Sequence, residues 1–220
     1  MNNIAALLAL TCLFLLGSGR MRMSIRMVAF QGILLGILSV LNGGNGWGII
    51  LFASSSIFLK GIILPWLLSK ALHRTGARRE IEPFVGFGPS IIAGVILLAI
   101  AQTLVKKIQV MAPIEFPAVL TVAYFMVFSG LFMLVTRRKA ITQTLGFLIL
   151  ENGVYCAGLS LGRELSLLVE LGVMLDVFVG IFLMGIMIFH IDREFDHIDT
   201  DRFDDLSDTA SLLGPDEEIG

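Results

Sequence analysis

Three ionisable side chains stand inside long apolar runs of this sequence: Lys60, Glu151 and Asp176. A charge at membrane depth is costly, so such residues point to an ion path or to a paired contact between helices. Glu151 sits in LGFLILENGVYCAGLSLG and Asp176 in LLVELGVMLDVFVGIFLMGIMIF, two runs joined by the turn Gly162-Arg163-Glu164. Counting from that turn at ~1.5 Å per helical residue puts both carboxyls roughly 18–20 Å down, near the middle of a ~30 Å hydrocarbon core. Lys60, counted from Trp47 at the outer end of its run, lies about 20 Å down as well. All three fall on one level.

The energetics favour proton exchange at such a level. Placing a charge at mid-helix costs about 2.5–3.5 kcal/mol. Holding a Glu neutral at pH 7 costs roughly 4 kcal/mol. The two costs are close, so a buried carboxyl can switch between its forms, and a nearby ammonium favours the charged one. A Glu/Asp/Lys set at one depth is thus the pattern of a proton or cation relay. The alternative for each carboxyl is a structural hydrogen bond or salt bridge between helices.

Two further residues bear on this set. Pro65 lacks the N–H that would reach the Gly61 carbonyl, which predicts a kink or break in the helix beside Lys60. Broken helices at mid-membrane are a common transporter device, whereas near a helix end the same proline merely bends the chain. Glu170 lies six residues before Asp176, about 9 Å shallower. It reads as an outer entrance to the path or as a wetted interfacial residue.

The elements that must position these residues are helices in a bilayer. Of 220 residues, 56% are hydrophobic and only 15% charged, with a mean hydropathy of +0.87. A soluble domain is about a quarter charged, and the apolar residues here lie in runs without strand alternation. The expected class is all-α, a polytopic transmembrane helix bundle of seven spans. These cover about 3–19, 23–41, 47–71, 87–105, 114–135, 141–161 and 165–189. The first run competes with a cleaved signal peptide, but it lacks a positive start and is followed by Arg20, Arg22 and Arg26, so a retained helix is expected.

Charge orients the bundle. Loops after the first, third and fifth spans carry about ten bases, and those after the second, fourth and sixth only Lys106, Lys107 and Arg163. The expectation is an N-terminus outside and a C-terminus in the cytoplasm of a multi-pass protein of the cell (inner) membrane. The net charge of −2 conceals a tail from Ile191 onward with eleven acids against two arginines; the rest of the chain carries +7. An acidic tail argues against nucleic acid as a partner and reads as an irregular cytoplasmic extension.

Other chemistry is not legible. Cys12 and Cys156 lie in separate spans, and His73, His190 and His197 have no second ligand at metal spacing. No nucleophile stands at readable spacing from a base, and there is no phosphate loop or dinucleotide fingerprint. No catalytic residue, cofactor or metal is therefore expected. Gln31, Gln102 and Gln143 read as cross-helix hydrogen-bonding groups, and Gly32-x-x-x-Gly36 as a close helix contact.

Residues 137–208 resemble the three-helix K subunit of respiratory complex I and the C subunit of multisubunit cation/proton antiporters. The features that carry this are Arg137-Arg138, Leu150-Glu151, Asp176 four residues before Gly180, and HIDTDRFDDLSD after the last span. Those subunits hold a membrane-embedded glutamate in each of two helices; Glu151 matches the first and Asp176, as an aspartate, the second. The gap from Arg137-Arg138 to Glu151 is about one turn longer than in the complex I subunit. The whole chain is similar to the hydrogenase-4 component E family. That similarity rests on FLKGIILPWLLSKALHR, Leu150-Glu151-Asn152-Gly153 and LVELGVMLDVFVGIF, and on hydropathy in the N-terminal third.

The resemblance implies a division into an N-terminal four-helix part (1–110), a K-subunit-like part (111–190) and an acidic tail (191–220). It implies a non-catalytic membrane subunit of an energy-converting, hydrogenase-like oxidoreductase, without redox cofactors of its own. Glu151 and Asp176 would lie on its proton or sodium path; from their own positions Lys60 joins that path as a modulator of their charge and Glu170 as a candidate outer entrance. Implied partners are antiporter-like and quinone-site-type membrane subunits, the lipid bilayer and, indirectly, a cytoplasmic hydrogenase and iron–sulfur arm. The alternatives are a subunit of a cation/proton antiporter and an assembly scaffold.

Overall fold

A computed structural model describes residues 1–43, 54, 57–74, 85–111, 114–160 and 180. Glu170, Asp176, the expected seventh span apart from Gly180, and the acidic tail lie outside the described residues. What is described is helical throughout. In chain order there are α1 (Asn2–Gly17), α2 (Met21–Gly43), a π-helical turn (Leu59–Ile63) running into α3 (Leu64–Arg74), α4 (Phe87–Met111), α5 (Pro117–Thr136) and α6 (Ala140–Ser160).

Three stretches are long and apolar enough to cross a membrane: Met21–Leu41 in α2, Phe87–Met111 and Pro117–Thr136. α1 is equally apolar but shorter, at 16 residues. α6 has 21 residues yet is not apolar enough to join them, because Thr142, Gln143, Thr144, Glu151 and Asn152 dilute it. The expected count of seven spans is therefore met only in part. α4 also runs past Val105, where the sequence suggested an end, through Lys106 and Lys107 to Met111. Both lysines are exposed, so their stems can lie along the helix while the ammonium groups reach water. Charge alone does not stop a helix.

The helices begin and end for local reasons. Pro117 sits in the first turn of α5, where no N–H is needed and the fixed φ suits the helix. α1 gives way to extended backbone at Ser18. Its exposed carbonyl end is met by the buried Arg137, whose Nη2 donates to the Leu16 carbonyl at 2.7 Å. A cation there also complements the partial negative charge of a helix C-terminus. The Arg137 guanidinium lies 4.9 Å from the centroid of the Phe87 ring, at the start of α4. The α1–α2 turn, the start of α4 and the α5–α6 turn thus meet at one end of the bundle.

Among the described residues the most extensive helix contact is between α5 and α6. A Cβ on Gly130 would lie 2.5 Å from the Leu150 backbone nitrogen, and one on Gly153 2.7 Å from that of Val127. Small residues here let two backbones touch, the usual device where no hydrophobic effect drives helices together. Leu120, Phe125, Met126, Leu145, Ile149 and Cys156 belong to the buried apolar core of the bundle. The helix that carries Glu151 is accordingly held against a rigid neighbour.

Candidate functional site

The site grows from one face of α6. Tyr155 stands four residues after Glu151 and three after Asn152, spacings that bring each of them beside it on the helix. All three are buried, at 0%, 2% and 1% exposure. Facing them is Lys60, which is only 5% exposed. Its Nζ forms a salt bridge with Glu151 Oε1. The same ammonium donates to Asn152 Oδ1 at 3.4 Å and lies 5.2 Å from the centroid of the Tyr155 ring. An ammonium can only donate, so the Asn152 oxygen is the end turned toward it. The carboxylate supplies countercharge, the amide an acceptor, and the ring its negative face.

Lys60 reaches this position through an unusual piece of backbone. It belongs to the π-helical turn Leu59–Ile63, where the Leu64 N–H reaches back five residues to the Leu59 carbonyl. Pro65 follows at the second residue of α3, so the bond it cannot make falls where the turn is already widened. Among the described residues the chain passes from the π turn straight into α3. Pro65 stands just after the π turn, inside the helix that continues it.

α2 supplies the floor. A Cβ on Gly32 would lie 2.7 Å from Lys60 Cβ and 3.0 Å from its carbonyl carbon, and one on Gly36 2.0 Å from Ile57 Cγ1. The Gly32-x-x-x-Gly36 face therefore receives the segment that carries Lys60. Only a bare backbone at position 32 lets the lysine stem pass so near.

Of the residues singled out in the sequence, the structure brings Lys60 and Glu151 into contact, with Pro65 one turn beyond. Gln31 does bond across helices: its Nε2 donates to Thr11 Oγ1 at 2.9 Å and to Cys12 Sγ at 3.3 Å on α1. Gln143 bonds locally instead, to the Arg137 carbonyl, and Gln102 is exposed. Among the described residues no group of His, Cys, Asp and Glu is arranged to hold a metal ion. Asn152 and Tyr155 were not read as site residues, although their spacing from Glu151 on a helix was available. Nothing in the basic run or in the Arg137-Arg138 pair marks Arg137 as buried.

No family model matches the chain, and no solved structure matches it. Among curated proteins it is 31% identical over 193 residues to "Uncharacterized protein Rv0085" of Mycobacterium tuberculosis, covering 86% of this chain and 87% of that one. The chain belongs to the Rv0085 family. Hydrogenase-4 component E of Escherichia coli is a distant homologue, 23% identical over 207 residues, 91% of this chain and 94% of the relative. The Shigella flexneri protein of that name matches to the same extent. An aligned stretch of that length holds both Lys60 and Glu151, whichever end is left out. The Rv0085 family and component E thus share the length over which this site is built.

Proposed function

We propose that this chain is a non-catalytic integral membrane subunit of an energy-converting, hydrogenase-like oxidoreductase related to complex I. In this reading it contributes part of a proton or sodium path. The observation that carries it is the buried Lys60–Glu151 pair on the mid-helix face of α6. Homology to hydrogenase-4 component E supplies the kind of complex. The expected setting is the inner membrane. Antiporter-like and quinone-site-type subunits would lie alongside, and the redox arm would stand in the cytoplasm.

The chemistry asked of the chain is modest. Glu151 would accept a proton from a neighbouring donor on the path and pass it on, with Asp176 and Glu170 as further stations. Lys60 would set the charge that Glu151 feels. Removing one member of a buried ion pair leaves the other uncompensated and commonly costs about 3–5 kcal/mol, so the pair is also a helix tie. The scaffold reading draws on that same fact.

Glu151→Gln separates the two readings because it keeps the shape and a hydrogen-bonding group while losing the exchangeable charge. In the intact complex the variant should assemble, yet ion movement coupled to turnover should fall at least tenfold. Normal pumping by an assembled Glu151→Gln complex would sink the path reading. Failure to assemble, with Glu151→Asp restoring assembly, would favour the scaffold.

A further inference from the structure

Two exposed stripes run side by side on α2 and on the segment that leads from the π turn into α3. On α2, Arg22, Arg26, Phe30, Ile33 and Ile37 are exposed, at steps of three and four residues that keep them on one face. On the other segment Ile62, Trp66, Lys70 and His73 follow the same steps and are exposed as well. The stripes border one another at Ile33, whose Cγ1 lies 3.1 Å from where a Cβ on Gly61 would stand. The two segments are antiparallel, since Gly32 lies against Lys60 and Gly36 against Ile57. Counting from Gly32 and Lys60 toward the α1–α2 turn puts Arg26 level with Trp66, roughly 9 Å along, and Arg22 level with Lys70, roughly 15 Å along.

The surface so formed has two halves. Arg22, Arg26 and Lys70 make a band of cations near the end of the bundle, and below it the exposed side chains are apolar and bulky. Trp66 stands at the border, the place an indole takes between headgroups and hydrocarbon. The Lys70 Nζ lies 5.1 Å from the centroid of the Trp66 ring, which holds the ammonium at that border. From Arg26 down to Ile37 is ~16 Å at the helical rise, about half of a ~30 Å hydrocarbon core. The apolar half therefore has the depth of one leaflet.

We propose that this surface binds an anionic phospholipid, its phosphate between Arg22, Arg26 and Lys70 and its acyl chains along Phe30, Ile33 and Ile62. Charge selects the head. Arg22 and Arg26, four residues apart, repel one another, and a phosphodiester between them takes charge-assisted hydrogen bonds from both guanidinium groups. Side-chain size selects a lipid over a neighbouring helix. Helices that meet in hydrocarbon do so through small residues, and those of α2, Gly32 and Gly36, already receive the segment that carries Lys60. Rows of Phe, Ile and Trp suit flexible chains instead. The proposal needs a bilayer around the chain but no ion movement at Glu151.

The test is quenching of Trp66 fluorescence by lipids with brominated acyl chains, in the full chain reconstituted into bilayers. The sequence has two tryptophans, and Trp47→Phe leaves Trp66 as the reporter. Brominated phosphatidylglycerol and brominated phosphatidylcholine are the probes, and competition between them gives their relative affinity for the place beside the indole. Phosphatidylglycerol should be preferred at least about fivefold, the attraction that one basic residue near a membrane surface exerts. The preference should vanish in the triple variant Arg22→Gln, Arg26→Gln, Lys70→Gln. It should persist in Lys106→Gln combined with Lys107→Gln, whose cations belong to the far end of α4.

Equal affinity for the two lipids, or a preference that survives the triple variant, overturns the proposal. So does a Trp66 that neither lipid reaches, the result expected if the acidic tail, a second copy or another subunit covers this surface. Should the triple variant not fold, salt decides on the unaltered cations. The preference should fall by at least half as ionic strength rises from about 0.05 to about 0.5 M, and an unchanged preference overturns the proposal. Ion movement in Glu151→Gln is a separate readout, so the lipid site and the ion-path reading can fail independently.

Discussion

Replacing Gly32 by alanine tests whether the floor beneath Lys60 sets the ion pair. The added Cβ would fall 2.7 Å from Lys60 Cβ and 3.0 Å from the Lys60 carbonyl carbon. Carbon atoms rest about 3.5–4.0 Å apart, so α2 and the π turn must separate by roughly 1 Å. Neither clashing atom is the tip of a side chain, so rotamer changes cannot relieve the overlap. Overpacking of this kind costs about 1–3 kcal/mol. The same shift displaces Lys60 Nζ relative to α6, where the bond to Asn152 is already at the long limit.

Gly36→Ala gives a useful contrast. Its Cβ would approach Ile57 Cγ1 to 2.0 Å, a closer clash, but with a side-chain atom that can rotate. Gly32→Ala should therefore weaken the ion pair more than Gly36→Ala, despite the longer contact. Thermal unfolding midpoints of the full chain in detergent, measured alone and in a Glu151→Gln background, separate the effects. If Gly32→Ala acts partly through the pair, its cost should shrink by roughly 1 kcal/mol once Glu151 is neutralised, since neighbours in one network are not additive. An equal cost in both backgrounds, or none in either, would refute the reasoning.

Two further outcomes follow from the packing. Arg137→Gln removes a charged donor from the Leu16 carbonyl and a cation from the Phe87 ring. It should lower stability by about 2–3 kcal/mol, and Arg137→Lys should not fully restore it, because a point ammonium cannot reproduce the planar fork. The check is the unfolding midpoint together with protease access at Ser18–Gly19. Gly153→Val should be worse than any single polar change, since its Cβ meets the Val127 nitrogen and the Ala123 carbonyl at 2.7 and 2.9 Å. Loss of folded chain in detergent size-exclusion profiles is expected, with Gly88→Ala, whose Cβ would meet nothing within 4 Å, as a milder control.

Most of the helices were legible because apolar runs in a bilayer have few other ways to satisfy their backbones. That Lys60 and Glu151 come to one level was legible too, since rise per residue hardly varies. Direction around the axis was another matter. A straight 3.6-residue helix does not anticipate the π turn at Leu59–Ile63, and that turn decides which neighbour Lys60 faces. Arg137 shows a different limit. Arg137 and Arg138 count alike among the bases of the loop after the fifth span, yet Arg137 is buried and Arg138 exposed. The difference arises from the open end of α1, which lies 121 positions away. Glu170 and Asp176 lie outside the described residues, so their place on the path stays with the proposal.

The separation of 91 positions between Lys60 and Glu151 has a consequence for how the protein is made. A ribosome delivers the lysine long before the carboxylate that meets it. During that interval the half-built chain must hold an ammonium in or near hydrocarbon, a burden of about 2.5–3.5 kcal/mol at mid-membrane. Leu59, Ile62, Ile63 and Leu64 beside it, and the Gly32 face already in place, are what the nascent segment has to offset it. Only when α6 follows does Lys60 meet the carboxylate that compensates it.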